Sequence, residues 1–566
     1  MRQKNPLRIV RLRGSQSDMG AQYGRIVSQI GGYEGILLYY RDFGDRLLST
    51  DNQHRWDELL MHGLTGSLMQ FGRRRLERSR PPEYLARTHA MMEVLGLPRA
   101  ESTSFMDMDT FQNVVGYAGK LRLGPFARPL NHQVVPACTS MVVWGDASQD
   151  KSLVHGRNFD FPGMDVWNRH QTVVFCDPDE GLKYGYVAAF ATDIPGITAF
   201  NEAGLTVTVH TRFHRDVSFT GAGVVDLCHD IVRRAETIED AVKIANERPV
   251  ASTWGIMVSS ASERRAVVLE TTCKDVAVLE HMPGNHYLGC ANQHHHGRVS
   301  GGQVAPMPAW FEHSSAREMR LRQVVDKSLS KGGMSAGDMA DLLGDSVDPY
   351  DQKARPGGCM IAQGISVKSV VMEPEKECVH VSVGDVPTGW GPYLTVPWSW
   401  DGEVGLVDMD LQELQINNNA PRPNQEGYSH FLAATRMHMD THDLKAVAGA
   451  LDCAIAADPN EPTYRFMRGV ICLRDLQFQE GADHLDHGLA HEESPFRRAQ
   501  LLLWASRVAD QLKLTENAVQ LRTELLSIRH PHVGEYQAAA EREQKNRYPR
   551  RKFPRVVLNF TMAEAM

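Results

Sequence analysis

Two hydrophobic periodicities divide this chain. Over residues 1–137 the apolar positions recur mainly at helical spacing. Tyr23, Ile26, Val27 and Ile30 follow a polar cap at Ser15–Asp18, and Pro81-Pro82 opens a second helix running through Met91, Met92 and Leu95 to a stop at Gly96. Leu123 to Pro136, with prolines at 125, 129 and 136, predicts an irregular exposed connection. From Cys138 the pattern shortens to β-prone runs at Thr139–Trp144, Leu153–Gly156, Thr172–Phe175, Gly185–Phe190, Leu205–His210, Trp254–Ser259, Ala266–Glu270, Val276–Leu279, Ser366–Met372 and Val379–Val383. Helical patterns interrupt them at 222–248 and 315–328, so residues 138–405 predict one layered α+β domain.

Residues 406–425 read as a polar linker with prolines at 421 and 423, and residues 426–540 turn helical again. There Leu451-Asp452-x-x-Ile455-Ala456 recurs as Leu485-Asp486-x-x-Leu489-Ala490, an offset of 34 residues. That spacing resembles tetratricopeptide helix pairs; a plain helical bundle is the alternative. The basic stretch 541–566 reads as a solvated tail.

Composition adds exclusions. With 42% hydrophobic and 23% charged residues and a net charge of −8, the chain falls among soluble globular proteins and gives no reason to expect a nucleic-acid partner. No apolar run is long enough for a signal peptide or a membrane span. Nine cysteines, an odd number without a C-x-x-C pair, suggest neither a zinc ribbon nor a disulfide framework, and a reduced, cytoplasmic location is expected. His294-His295-His296 cannot all face one ion on regular structure, so no metal or organic cofactor is expected.

The candidate chemistry sits at the start of the β-rich region. Ala137-Cys138-Thr139-Ser140 opens one run, and Gly156-Arg157-Asn158-Phe159-Asp160 ends the next. Sequential strands usually pair, which would bring Arg157 and Asp160 to Cys138. This pair of motifs resembles the N-terminal nucleophile hydrolases of the choloylglycine hydrolase and acid ceramidase type, and is most similar to the branch that contains acyl-CoA:6-aminopenicillanic acid acyltransferase. Three later motifs follow in the family's order: Asn201-Glu202-Ala203-Gly204-Leu205, Ala291-Asn292-Gln293, and Ser314-Ser315-Ala316-Arg317.

The resemblance implies a four-layer αββα sandwich, with a C-terminal all-helical region outside it. It also implies autocatalytic cleavage between Ala137 and Cys138, which would free an α-amine of pKa about 7.7–8.0 to act as the base of its own thiol. Arg157 would favour the thiolate and Asp160 would hold the new ammonium. Asn292 would give a side-chain N–H to the oxyanion, and Arg317 would anchor substrate or hold Asp160 and Asn292. Where relatives often carry a second oxyanion asparagine, this chain reads Val209-His210-Thr211, so His210 or Thr211 is the expected second donor. The expected substrate is a small-molecule acyl amide or acyl thioester, with hydrolysis or transfer to an amine as outcomes. An acyl-CoA-dependent biosynthetic N-acyltransferase, or an inactive scaffold that meets a protein partner or a second copy through its C-terminal helices, are the alternatives.

Overall fold

The computed structural model describes residues 6–32, 34, 55–98, 106–121, 135–417 and 419–566. Among them are two large sheets. The first has nine strands: β1 (Arg8–Gly14), β4 (Gln171–Pro178), β5 (Tyr184–Ala189), β6 (Thr198–Asn201), β7 (Leu205–Thr211), β8 (Trp254–Ser260), β9 (Arg265–Thr271), β10 (Val276–Glu280) and β15 (Gly405–Val407), in the order β10-β9-β8-β7-β6-β5-β4-β1-β15. The second has seven: β2 (Ala137–Val143), β3 (Val154–Asp160), β11 (Tyr287–Cys290), β12 (Ser366–Glu373), β13 (Cys378–Ser382), β14 (Tyr393–Pro397) and β16 (Gln412–Glu413), in the order β11-β2-β3-β12-β13-β14-β16.

Alternation along each strand stacks these sheets face to face. On β12, Val370 and Met372 join Val173, Phe175 and Phe200 of the nine-stranded sheet in one apolar cluster. Val371 turns the other way, to Met339 and Leu343 of the helix Ala336–Leu343. The helices Val224–Arg234 and Ile238–Glu247 cover the outer face of the nine-stranded sheet, and Trp310–Leu329 and Ala336–Leu343 cover that of the seven-stranded one. The result is four layers, αββα. The helical pattern at 222–248 divides at Ala235–Thr237, where Thr237 and Asp240 form a capping box.

Three stretches differ from their sequence reading. The segment 1–137 is not helical throughout: β1 lies inside the nine-stranded sheet, parallel to β4 and antiparallel to β15. Its helix Gln16–Ile30 packs on Pro82–Val94 so closely that a Cβ at Gly20 would meet the Arg87 carbonyl. Residues 406–425 do not simply link, because β15 and β16 add an edge strand to each sheet. The stretch 541–566 is not a solvated tail: Val556, Leu558, Phe560, Met562 and Glu564 are buried, and β17 (Leu558–Asn559) pairs with β18 (Glu564–Ala565). Lys and Arg there are countered by an apolar run that composition alone did not bring out. Of the predicted connection Leu123–Pro136, residues 123–134 lie outside the described residues, and Val135 and Pro136 are buried.

The C-terminal region is a succession of helices, Gln425–Asp440, Leu444–Ala457, Pro462–Arg474, Phe478–His491, Pro495–Gln511, Thr515–Ser527 and Gly534–Lys545, each packed on the next. The recurring Leu451 and Leu485 are buried at matching places, on the second helix of successive pairs. This region shares its core with the sandwich, for Tyr428, Leu432, Phe496, Leu502 and Met562 belong to the same apolar cluster as Cys138, Phe159 and Trp167. No described helix is long and apolar enough to cross a membrane.

Candidate active site

Strand register builds the site. In the β2–β3 hairpin Cys138 lies opposite Phe159, Ala137 opposite Asp160, and Ser140 opposite Arg157. On its other side β2 pairs with β11, with Cys290 opposite Ser140, so continuing the chain by two residues brings Asn292 level with Cys138. Period-two alternation then sorts the side chains. Cys138, Ser140 and Arg157 point between the sheets, where the Ser140 hydroxyl meets that of Thr208 on β7 at 3.0 Å. Thr139 points outward to the helix Trp310–Leu329, where Arg317 donates to its hydroxyl at 2.8 Å.

Every polar atom of Cys138 is held. Arg157 Nη2 lies 3.3 Å from Sγ, Cys138 N–H donates to Asn292 Oδ1 at 3.1 Å, and Arg317 Nη1 donates to the Cys138 carbonyl at 2.7 Å. Arg157 is fully buried, and its charge is met by the carbonyls of Ile197 and Val209 at 3.1 Å each and by the Thr198 hydroxyl. Burial pushes the Cys138 thiol up; the Arg157 guanidinium opposes this and the Asp160 carboxylate adds to it.

Asp160 is fully buried, with Oδ1 accepting from Ser366 Oγ at 2.6 Å and Oδ2 without a hydrogen-bond partner. Burial raises its pKa, against the pull of Arg317, Ser366 and Arg157. Arg317 also donates to Asn292 Oδ1 at 2.6 Å and through Nε to the His313 carbonyl at 3.0 Å. Its position beside Cys138, Thr139 and Asn292 is that of an organiser.

Asn292 differs from its expected use. Its carbonyl oxygen takes the Cys138 N–H and Arg317, while Nδ2 donates to the Thr211 carbonyl at 2.8 Å, so in the uncleaved chain one amide proton is committed away from any oxyanion. Thr211 thus contributes a main-chain acceptor. His210 sits buried beside the Cys138 main chain, its Nε2 3.4 Å from Thr208 Oγ1 and its Nδ1 without a partner. Burial, then Arg157, Arg212 and His155, hold it well below the ordinary histidine range, so it is a neutral imidazole.

The structure therefore brings Cys138, Arg157, Asp160, His210, Asn292 and Arg317 into one cluster. Trp167 lies at its border, its ring 5.3 Å from those of Phe159 and Phe161. Tyr184 and Tyr186 do not join it; their hydroxyls meet buried Arg87 at 3.0 and 3.4 Å. The three consecutive histidines diverge, His294 towards Thr253 and His295 to Glu318 at 2.8 Å. Ser366, which orients Asp160, was invisible to the sequence reading, since it comes from β12, 206 residues further on.

Residues 147–385 match the family model of acyl-coenzyme A:6-aminopenicillanic acid acyl-transferase. The match begins downstream of Cys138 and spans Arg157, Asp160, His210, Asn292 and Arg317. It and the αββα layers place this region in the N-terminal nucleophile superfamily. No curated protein matches the chain. Among solved structures, a Caenorhabditis elegans N-acylethanolamine-hydrolyzing acid amidase ortholog is similar at 16% identity over 42% of this chain and 93% of that one, with a TM-score of 0.29.

Proposed function

We propose that this chain is a cysteine N-terminal nucleophile enzyme that cleaves itself between Ala137 and Cys138 and then hydrolyses, or transfers, the acyl group of small amides or thioesters. The observation that carries this reading is that nitrogen, carbonyl oxygen and sulfur of one buried cysteine are each held by a different side chain, Asn292, Arg317 and Arg157. A cysteine that only packs requires none of these contacts.

For processing, Sγ attacks the Ala137 carbonyl carbon, the C–N bond breaks to leave a thioester and a free Cys138 amine, and water releases the Ala137 carboxylate. Asp160 Oδ2, buried without a partner, is available to the amine that this step creates. In the mature enzyme the amine takes the thiol proton, Sγ attacks the substrate carbonyl, and an acyl-enzyme forms as the leaving group departs with a proton. His210, a neutral imidazole held against the Cys138 main chain, supplies from Nδ1 the oxyanion hydrogen bond that Asn292 does not supply alone. Water or an amine then takes the acyl group.

Intact mass spectrometry tests the processing. Wild type is expected as two fragments, beginning at Met1 and Cys138, and Cys138→Ala as one chain. An uncleaved wild type that turns over acyl amides would sink the self-processing part. Incubation of the cleaved protein with an acyl donor, with and without amines, separates hydrolysis from transfer by the product formed.

A further inference from the structure

At the far end of β12 from Cys138, Glu373, Cys378 and His380 present one ligand atom each, all within 4.8 Å of one another and all buried. Strand geometry explains the convergence. Glu373 on β12 is the cross-strand partner of Cys378 on β13, and Cys378 and His380 lie two residues apart on the same face. Ser366, beside Asp160, and Glu373 are seven residues apart, roughly 23 Å along a strand, so this cluster is separate from the candidate active site.

We propose that Glu373, Cys378 and His380 form a zinc site with one coordination position open to water. The distances suit the ion. Bonds of about 2.3 Å to sulfur and 2.0 Å to nitrogen or oxygen at tetrahedral angles need S···N near 3.5 Å and O···N near 3.3 Å. Cys378 Sγ lies 3.6 Å from His380 Nε2, and Glu373 Oε2 lies 2.8 Å from it, a hydrogen bond that would open by about half an ångström on binding. The other ring nitrogen, Nδ1, lies 2.9 Å from Thr395 Oγ1, the outer contact that fixes a metal-binding imidazole with Nε2 towards the ion.

Charge also balances. Lys376 bonds Glu373 Oε1 at 2.6 Å and Asp150 Oδ2 at 2.7 Å, so that the lysine is offset by Asp150. Zinc is then offset by one thiolate and one carboxylate. The mixed sulfur, nitrogen and oxygen set selects zinc over magnesium or calcium.

Cobalt(II), which takes zinc sites and reports thiolate ligation by near-ultraviolet charge transfer, is the probe. Titration of the metal-stripped full chain is expected to develop that band to a one-to-one end point, and zinc is expected to abolish it. Cys378→Ser should lose the band while circular dichroism stays unchanged. Cys138→Ser should keep it, and Thr395→Val should weaken binding about 10–100-fold. A wild type without the thiolate band, or a band that survives Cys378→Ser, would overturn the proposal.

Discussion

In the proposed mechanism the reactivity of Cys138 turns on Arg157. Burial alone raises the thiol pKa, and the guanidinium at 3.3 Å works against that rise. Replacing it by Gln removes the stabilising charge, so the thiol pKa goes up and less thiolate is present at any given pH. For Arg157→Gln the rising limb of kcat/KM against pH is expected to move to higher pH, with a loss of roughly 10²-fold near neutrality. An unmoved limb would place Arg157 outside the thiol's electrostatics. At His210 the expectation has the opposite form. A neutral imidazole donating to an oxyanion acts through kcat, so His210→Phe should lower kcat by about 10²-fold with little change in KM. Steady-state kinetics on both variants checks the two claims.

How these residues could be found differs with their separation along the chain. Arg157 and Asp160 were legible because a hairpin puts sequence neighbours side by side, and Asn292 and Arg317 through motif order. The direction of the Asn292 amide was not legible, because the Thr211 carbonyl that fixes it belongs to a strand of the other sheet. Nor was Ser366, whose strand gives no chemical signal of its own.

At the scale of elements, β1 bears on the proposed cleavage. It sits between β4 and β15, hydrogen-bonded on both edges, so a cut before Cys138 does not free the first fragment. The two fragments are expected to elute together under native conditions and to separate only in denaturant, as size-exclusion chromatography followed by denaturing electrophoresis would show. The C-terminal hairpin makes a second prediction. Glu564 is fully buried, accepts from Tyr536 Oη at 2.8 Å and from Ala309 N at 3.1 Å, and burial raises its pKa to about 8. A folded pKa above the unfolded value of about 4.5 means its contribution is full below pH ~4.5 and is lost as pH rises through ~8. Urea midpoints at pH 7 and 9 should therefore fall less for Glu564→Gln than for wild type.

Over the whole molecule, sandwich and C-terminal helices share one apolar cluster, and they should unfold together. Leu502, fully buried in Pro495–Gln511, lies in that cluster, and Leu502→Ala is expected to cost about 2–5 kcal/mol in a single urea transition that tryptophan fluorescence and circular dichroism report alike. Two separated transitions would show the regions to be independent. Buried imidazoles set the acid limit. Burial holds His155 at about 3 and His294 at about 4, both below the unfolded value of about 6.5. Their contribution is complete above pH ~6.5 and lost as pH falls towards 4, so Tm measured by calorimetry should drop steadily over that window.

The sequence by itself determined the β-rich character of 138–405, the flanking helices and the hairpin that carries Cys138, Arg157 and Asp160, because periodicity and turn chemistry are local. It also marked Asn292, Arg317 and His210 by their place in an ordered set of motifs. Only the tertiary structure decided that β1 enters the sheet and that 556–565 is buried, since both depend on partners supplied by distant strands and helices. The same holds for two of the contacts on Cys138: its nitrogen and carbonyl are met by Asn292, which follows β11, and by Arg317 of the helix Trp310–Leu329, and no spacing along the chain records how a neighbouring strand and a helix converge on one residue.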